Sequence, residues 1–144
     1  WSMAGTGYSE SHTPLFDWLN NPILKNSSSN MLYETTVNLD SISLTQRYIL
    51  DLGEVYGVAK VRLNNKALGN LVAEPYLIDI TEELKVGINK IEITLIPPRR
   101  NAEVARIEAS ADMLSRDSSE MPRMSSGILG PAYLRTYCLN TCSE

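Results

Sequence analysis

The sequence predicts an all-β protein, an antiparallel β-sandwich of the jelly-roll type with one or two short helical turns. Three observations support this prediction. Apolar residues alternate with polar residues in several short segments, and glycine, asparagine or proline separates those segments. Helical segments do not follow the strands at regular intervals, as they would in a parallel α/β sheet. Short strands spaced by turns therefore favour antiparallel pairing in two packed sheets.

The size and composition of the chain are typical of one soluble domain. Its 144 residues are close to the commonest domain size, and neither a repeat nor a low-complexity linker divides them. We therefore expect a single domain that spans residues 1–144. The apolar runs fall well short of the roughly 20 residues that cross a bilayer, which excludes a membrane span.

Charge, cysteines and the first residue limit the partners and the compartment. The formal net charge is -4 and the 13 Lys and Arg residues are scattered, so we do not expect nucleic acid as a partner. The sequence begins with Trp1 and has no leader, which predicts a processed product or a fragment of a larger multidomain protein. Cys138 and Cys142 allow a short-loop disulfide, two free thiols or a weak metal pair. Localisation stays open, with a preference for a periplasmic or extracellular compartment.

Alternation is clearest between residues 31 and 96. The segment at 31–39, MLYETTVNL, is rich in β-branched and aromatic side chains that favour an extended chain. The apolar faces of the strands that follow consist of Tyr48, Leu50 and Leu52; Ala59, Val61 and Leu63; Tyr76, Ile78 and Ile80; and Ile91, Ile93 and Leu95. Asn64 and Asn65 predict a type I′ hairpin turn, because asparagine tolerates positive φ. Thr81 is predicted to cap a single helical turn, and Pro97 is predicted to end the last of these strands.

The C-terminal third of the chain predicts a short helix, a surface loop and a final strand. The helical stripe consists of Val104, Ile107, Ala111 and Leu114. The polar residues up to 126 predict a loop. Gly127, Gly130 and Pro131 are predicted turn residues before a strand from Tyr133 to Cys138.

An ordered set of landmarks extends over nearly the whole chain. It consists of DLGEV at 51–55, GVAKVRLNNKALG at 57–69, PYLIDITEELKVGINKIEITL at 75–95 and SGILGP at 126–131. Asp17-Trp18, Ser28-Ser29-Asn30 and Tyr33 precede them. Together these residues resemble the galactose-binding-like β-sandwich of large glycoside hydrolases. They are similar to the sugar-binding domain of family 2 enzymes and, more closely, to the accessory sandwich of family 106 α-L-rhamnosidase-like proteins.

The resemblance implies a noncatalytic accessory or sugar-binding domain of a multidomain glycoside hydrolase. Its implied partners are carbohydrate and the catalytic domain of the parent chain, against which it packs and whose substrate cleft it supports. A free-standing carbohydrate-binding module and a protein-interaction sandwich are the alternatives. We expect no cofactor. A structural Ca²⁺, which related sandwiches often hold, stays open, because no residue spacing in the sequence identifies ligands for it.

The residues themselves predict no catalytic centre in this chain. A glycosidase needs two carboxyl groups roughly 5 to 10 Å apart. The adjacent pair Glu82-Glu83 is predicted instead to begin a helical turn, where the helix dipole favours negative charge. His12 is the sole histidine and has no neighbouring motif for nucleophilic catalysis.

Sugar binding requires an exposed aromatic face and planar polar groups that reach the hydroxyls. The candidate carbohydrate-binding residues are Trp18, Tyr76, Arg99, Arg100 and Asn101. The last three are predicted to lie on a loop after a strand. Packing in the core or at a sheet edge is the alternative role for Trp18 and Tyr76.

Overall fold

The computed structural model describes residues 1–110 and 121–139, and antiparallel strands are its main regular structure. The strands are β1 (Ser2–Gly5), β2 (Tyr8–Glu10), β3 (Met31–Leu39), β4 (Gln46–Asp51), β5 (Glu54–Tyr56), β6 (Val58–Leu63), β7 (Lys66–Leu71), β8 (Leu77–Asp79), β9 (Gly87–Ile96), β10 (Gly127–Gly130) and β11 (Tyr133–Cys138). One α-helix, α1 (Arg100–Ala109), and two 3-10 turns, Trp18–Asn20 and Thr81–Glu83, complete the described elements. The predicted antiparallel all-β fold is confirmed.

A six-stranded sheet forms the first layer, in the order β2-β1-β3-β9-β6-β7. Its centre is the long pairing of β3 with β9, which runs from Met31 opposite Leu95 to Leu39 opposite Gly87. Strand β9 ends at Ile96, directly before the proline predicted to stop it. Strand β1 pairs with the free side of β3, and β6 pairs with the free side of β9, so these two strands form the centre of the sheet.

The second layer is a three-stranded sheet in the order β11-β4-β8, and a two-stranded sheet of β10 and β5 lies beside it. The inner faces of both layers form one hydrophobic core. Its members include Tyr33, Leu50, Leu52, Val61, Leu63, Ile93, Leu95 and Ile128. The alternating apolar faces predicted from the sequence are thus the faces that meet in this core.

The turn between β6 and β7 is the predicted type I′ hairpin. Asn64 and Asn65 have φ of 49° and 71°, the positive values that this turn requires. The predicted cap at Thr81 is wrong, since Ile80 occupies the N-cap position and no side chain caps the turn. The Thr81 hydroxyl instead accepts a hydrogen bond from the Tyr48 backbone N–H at 2.8 Å, so it fastens the turn to β4.

The structure contains local features that the sequence did not predict or predicted differently. Strands β1 and β2 precede residue 31, and the signal for them was the Thr6-Gly7 turn, with Gly7 at positive φ. Helix α1 begins at Arg100 and is longer than a single turn, while Ala111 and Leu114 of the predicted stripe lie outside the described residues. Residues 127–130 form β10 and pair with β5 instead of forming only a turn. Cys142 also lies outside the described residues.

Candidate functional site

Trp18 lies in the core and not on the surface. Its residue is 0% exposed, and its indole Nε1 donates a hydrogen bond to the Tyr33 hydroxyl at 2.7 Å. Burial raises the pKa of Tyr33 to about 12, so this hydroxyl keeps its proton at neutral pH. The Trp18 ring presents no open face on which a sugar ring could stack.

Tyr76 is also a packing residue in this structure. It is 6% exposed, and its hydroxyl donates to the Gly57 carbonyl oxygen at 2.8 Å. Burial, and secondarily the charge of Glu74, raises the pKa of Tyr76. The geometry of both aromatic residues matches the packing alternative, and contact of either with a sugar stays a prediction.

Arg100 and Asn101 lie in the first turn of α1, not on the predicted loop, and only Arg99 precedes the helix. Asn101 is buried, with its Nδ2 donating to the Met124 carbonyl at 2.7 Å and its Oδ1 accepting from the Met124 N–H at 2.8 Å. The Arg100 Nε donates to the Pro122 carbonyl at 2.9 Å. These side chains therefore hold the segment at 122–126 against the helix.

The same segment is held from its other side by the residues around Trp18. The backbone N–H of Trp18 donates to the Ser126 carbonyl at 2.9 Å, and an Asp17 carboxylate oxygen accepts from the backbone N–H of Ser126 at 3.1 Å. The structure thus brings Trp18 and Asn101 to one stretch of backbone, while Tyr76 contacts Gly57 elsewhere. The predicted site residues do not gather around a shared open hollow.

An exposed aromatic surface lies instead on the outer face of the three-stranded sheet. Tyr133, Arg135 and Tyr137 alternate along β11, and the two tyrosines are 52% and 51% exposed. On β4 they pair with Asp51, Ile49 and Arg47, in that order. On β8, Leu77 pairs with Asp51 and Asp79 pairs with Ile49, so two of these cross-strand rows continue onto a third strand. Directly paired antiparallel residues project from the same side of a sheet, so these side chains share one surface. We call it the tyrosine face.

Ion pairs cross the tyrosine face. Arg135 Nε lies 2.6 Å from an Asp51 carboxylate oxygen, and Arg47 lies 3.2 Å from Asp79. The Arg135 guanidinium also lies 5.4 Å from the centre of the Tyr133 ring. The Gly53 N–H, aided by Arg135, lowers the pKa of Asp51, and hydrogen bonds from Thr81 lower the pKa of Asp79. Both carboxylates are therefore ionised at neutral pH, which balances the two guanidinium charges.

A groove of about 570 Å³ adjoins the tyrosine face. It opens between β7 and the β4–β8 edge, and Arg47 and Asp79 line it as well as belonging to the face. Leu44, Leu68 and Ile80 supply apolar surface within it. Lys66 pairs with Glu83 at its rim. The groove thus combines apolar surface with paired charges, as ligand-binding clefts do.

A smaller hollow of about 340 Å³ lies next to β3, just beyond the point where β1 stops pairing with it. Trp1, His12, Thr36 and Lys90 line it, together with Glu34, whose carboxylate lies 2.5 Å from the Lys90 ammonium. Hydrogen bonds from Lys90 to Glu34 and Glu92 raise the pKa of this lysine. Its charged groups are therefore already engaged with one another.

Neither a metal-binding cluster nor a membrane-spanning helix occurs in the described part of the chain. Within residues 1–110 and 121–139, no three His, Cys, Asp or Glu side chains come together in a way that could hold a metal ion. Over the same residues, no helix is long and apolar enough to span a membrane. Glu82 and Glu83 lie in the 3-10 turn, as predicted, and Glu83 pairs with Lys66.

The sequence predicts the strand that carries the tyrosine face but does not identify the face as a candidate site. The signal was present in the sequence, since Tyr133, Arg135 and Tyr137 recur at every second position of a predicted strand. The side of β11 that faces solvent is set by its pairing with β4, and the sequence does not reveal that pairing. The groove beside it depends on the packing of two sheets and has no local sequence signal.

Comparison with known proteins defines the family. Residues 11–127 match the family model described as the glycosyl hydrolase 2 galactose-binding domain-like domain, which covers most of the chain. The chain belongs to this family. The resemblance that the ordered landmarks predicted is therefore confirmed.

The matches to three similar proteins each cover only a small part of the other protein's length. A rhamnosidase from Novosphingobium sp. PP1Y matches with a TM-score of 0.69 and 23% identity, over 82% of this chain and 12% of its own. A β-D-mannosidase from Dictyoglomus thermophilum matches with a TM-score of 0.58 and 12% identity, over 96% of this chain and 22% of its own. These two likenesses show the fold. A protein of Formosa agariphila, provisionally named a β-glucuronidase, is 46% identical over 44 residues, which are 31% of this chain and 4% of that protein.

Proposed function

We propose that this chain is a noncatalytic accessory or sugar-binding β-sandwich of a multidomain glycoside hydrolase. The observation that carries the proposal is the family match over residues 11–127, in a chain that spans only 4% to 22% of the three relatives described above. In this proposal residues 1–144 form one domain, and the catalytic carboxylates lie in another domain of the parent chain.

The role of the domain is to pack against the catalytic domain and to support or extend its substrate cleft. The hydrophobic core and the hydrogen bonds around Trp18 and Asn101 suit a rigid support, because they hold the segment at 122–126, directly before β10, in place. A free-standing carbohydrate-binding module is the second candidate, and the exposed tyrosines of β11 favour it.

The reading frame that encodes the chain tests the proposal. We expect it to continue into a catalytic domain, and we expect the full-length product to hydrolyse an aryl glycoside. Two carboxylates outside residues 1–144 should be essential for that turnover. A frame that encodes this domain alone, or a full-length product whose hydrolysis depends on a carboxylate within it, would contradict the proposal.

A further inference from the structure

We propose that the tyrosine face and the adjoining groove form a binding surface for a neutral oligosaccharide. This inference rests on the proposed function, since it locates the carbohydrate contact that the function includes. It places that contact on β11, β4 and β8, away from the residues that the sequence suggested.

The first argument is the presentation of the aromatic rings. Tyr133 and Tyr137 are about half exposed and project from one face of an edge strand. Four residues along a strand span about 13 Å, which exceeds the width of one sugar ring. Two rings held at that spacing suit an extended oligosaccharide, with the apolar side of separate sugar units resting on each tyrosine.

The second argument is the arrangement of polar groups between the rings. Arg135 lies between the two tyrosines and is fixed by Asp51 at 2.6 Å, so its planar guanidinium is held in place. Asp79 and Arg47 form a second pair at 3.2 Å, which links the row of Arg135 to the row of Tyr137. Carboxylates and guanidinium groups offer the paired acceptors and donors that sugar hydroxyls need. Holding them before the ligand arrives reduces the entropy lost on binding.

The third argument is charge. The face has two guanidinium groups and two ionised carboxylates, and the groove adds Lys66, Glu82 and Glu83. No excess of positive charge is present to attract a chain of uronic acids. The balance favours a neutral oligosaccharide, and the groove of about 570 Å³ gives the chain a continuation beyond Arg47 and Asp79.

Titration calorimetry of the 144-residue chain tests the inference, with cellohexaose, xylohexaose and mannohexaose as probes and a galacturonic acid hexamer as the charged comparison. We expect at least one neutral hexasaccharide to bind more tightly than the charged one. Tyr133→Ala and Tyr137→Ala should each weaken binding about five-fold, and the double variant about 25-fold. Tyr133→Trp and Tyr137→Trp should retain binding.

Tyr56→Ala is the matched control, because Tyr56 lies on β5 in the two-stranded sheet. It should leave the affinity unchanged, and urea unfolding of every variant verifies that each is folded. Absence of binding to all three neutral hexasaccharides would overturn the inference, as would unchanged binding by the folded double variant. Neither result touches the proposed noncatalytic role, which is tested separately by the extent of the reading frame and by the location of the catalytic carboxylates.

Discussion

At the residue scale, the aromatic side chains of this protein have two separate roles. Trp18 and Tyr33 are buried and hydrogen-bonded to each other, whereas Tyr133 and Tyr137 face solvent. Composition alone does not distinguish these roles, because all four residues are aromatic. The burial of Trp18 depends on tertiary contacts with Tyr33 and Gly127, which are distant in sequence, so the sequence left both a sugar contact and core packing open for it.

Gly127 is a residue at which any side chain would meet the core. It has φ of +104°, and an added Cβ would lie 2.6 Å from Cδ1 and Nε1 of the buried Trp18 ring. We expect Gly127→Ala to lower the free energy of unfolding by about 2–5 kcal/mol, since strain and overpacking act together. Gly87→Ala is the control, because Gly87 has φ of +92° and open space around its Cα, and strain alone should cost about 1–2 kcal/mol. Equal losses in urea unfolding would show that the ring contact contributes nothing.

Tyr33 is expected to make the free energy of unfolding fall as the pH becomes alkaline. Its folded pKa is about 12, while an unfolded tyrosine titrates near 10. The stabilisation is therefore complete below pH ~10 and is lost as the pH rises toward ~12, because only the unfolded phenol ionises readily in that window. Tyr33→Phe should cost about 1–3 kcal/mol at pH 8, since it leaves the Trp18 Nε1–H unpaired.

Urea unfolding at pH 8 and at pH 11 separates these effects. The wild-type chain should lose more stability between the two values than Tyr33→Phe does. An identical loss in both proteins would contradict the assignment of this alkaline sensitivity to Tyr33.

At the element scale, the β6–β7 hairpin and the start of β9 are joined by the half-buried Asn64 and the buried Asn89. Asn89 is fully buried; its amide bonds to Lys85 and Gly87, and its Oδ1 accepts from the Asn64 Nδ2 at 2.9 Å. Asn64 in turn accepts from the Lys90 N–H at 2.9 Å. The hairpin turn was predictable from local φ preferences. The role of Asn89 was not, because its partners are brought together only by strand pairing.

Removal of the Asn89 side chain should destabilise the contact between the β6–β7 hairpin and β9. Asn89→Ala leaves several buried backbone and amide groups without partners, and we expect a loss of about 2–4 kcal/mol in the free energy of unfolding. Asn70→Ala, on the exposed face of β7, should change it by less than about 0.5 kcal/mol. A small loss for Asn89→Ala, equal to that of Asn70→Ala, would show that water or backbone shifts satisfy the freed groups.

At the scale of the whole molecule, most of the fold followed from alternation, and most of the candidate site did not. Alternating positions such as Leu50 and Val61 are local signals, and they identify core faces before any pairing is known. Locating the tyrosine face requires the register of β11 with β4. Locating the groove requires knowledge of how the two sheets pack together. Surface sites that several strands assemble are therefore beyond what one-dimensional patterns can locate.

We propose that this chain is a scaffold and sugar-associated domain and that the catalytic centre lies in another domain of the parent protein. Turnover of a panel of aryl glycosides by the isolated 144-residue chain is the decisive measurement. We expect no hydrolysis above the uncatalysed rate for aryl glucuronides, rhamnosides, mannosides or galactosides. Robust turnover that is abolished by replacing a single carboxylate of this chain would contradict it.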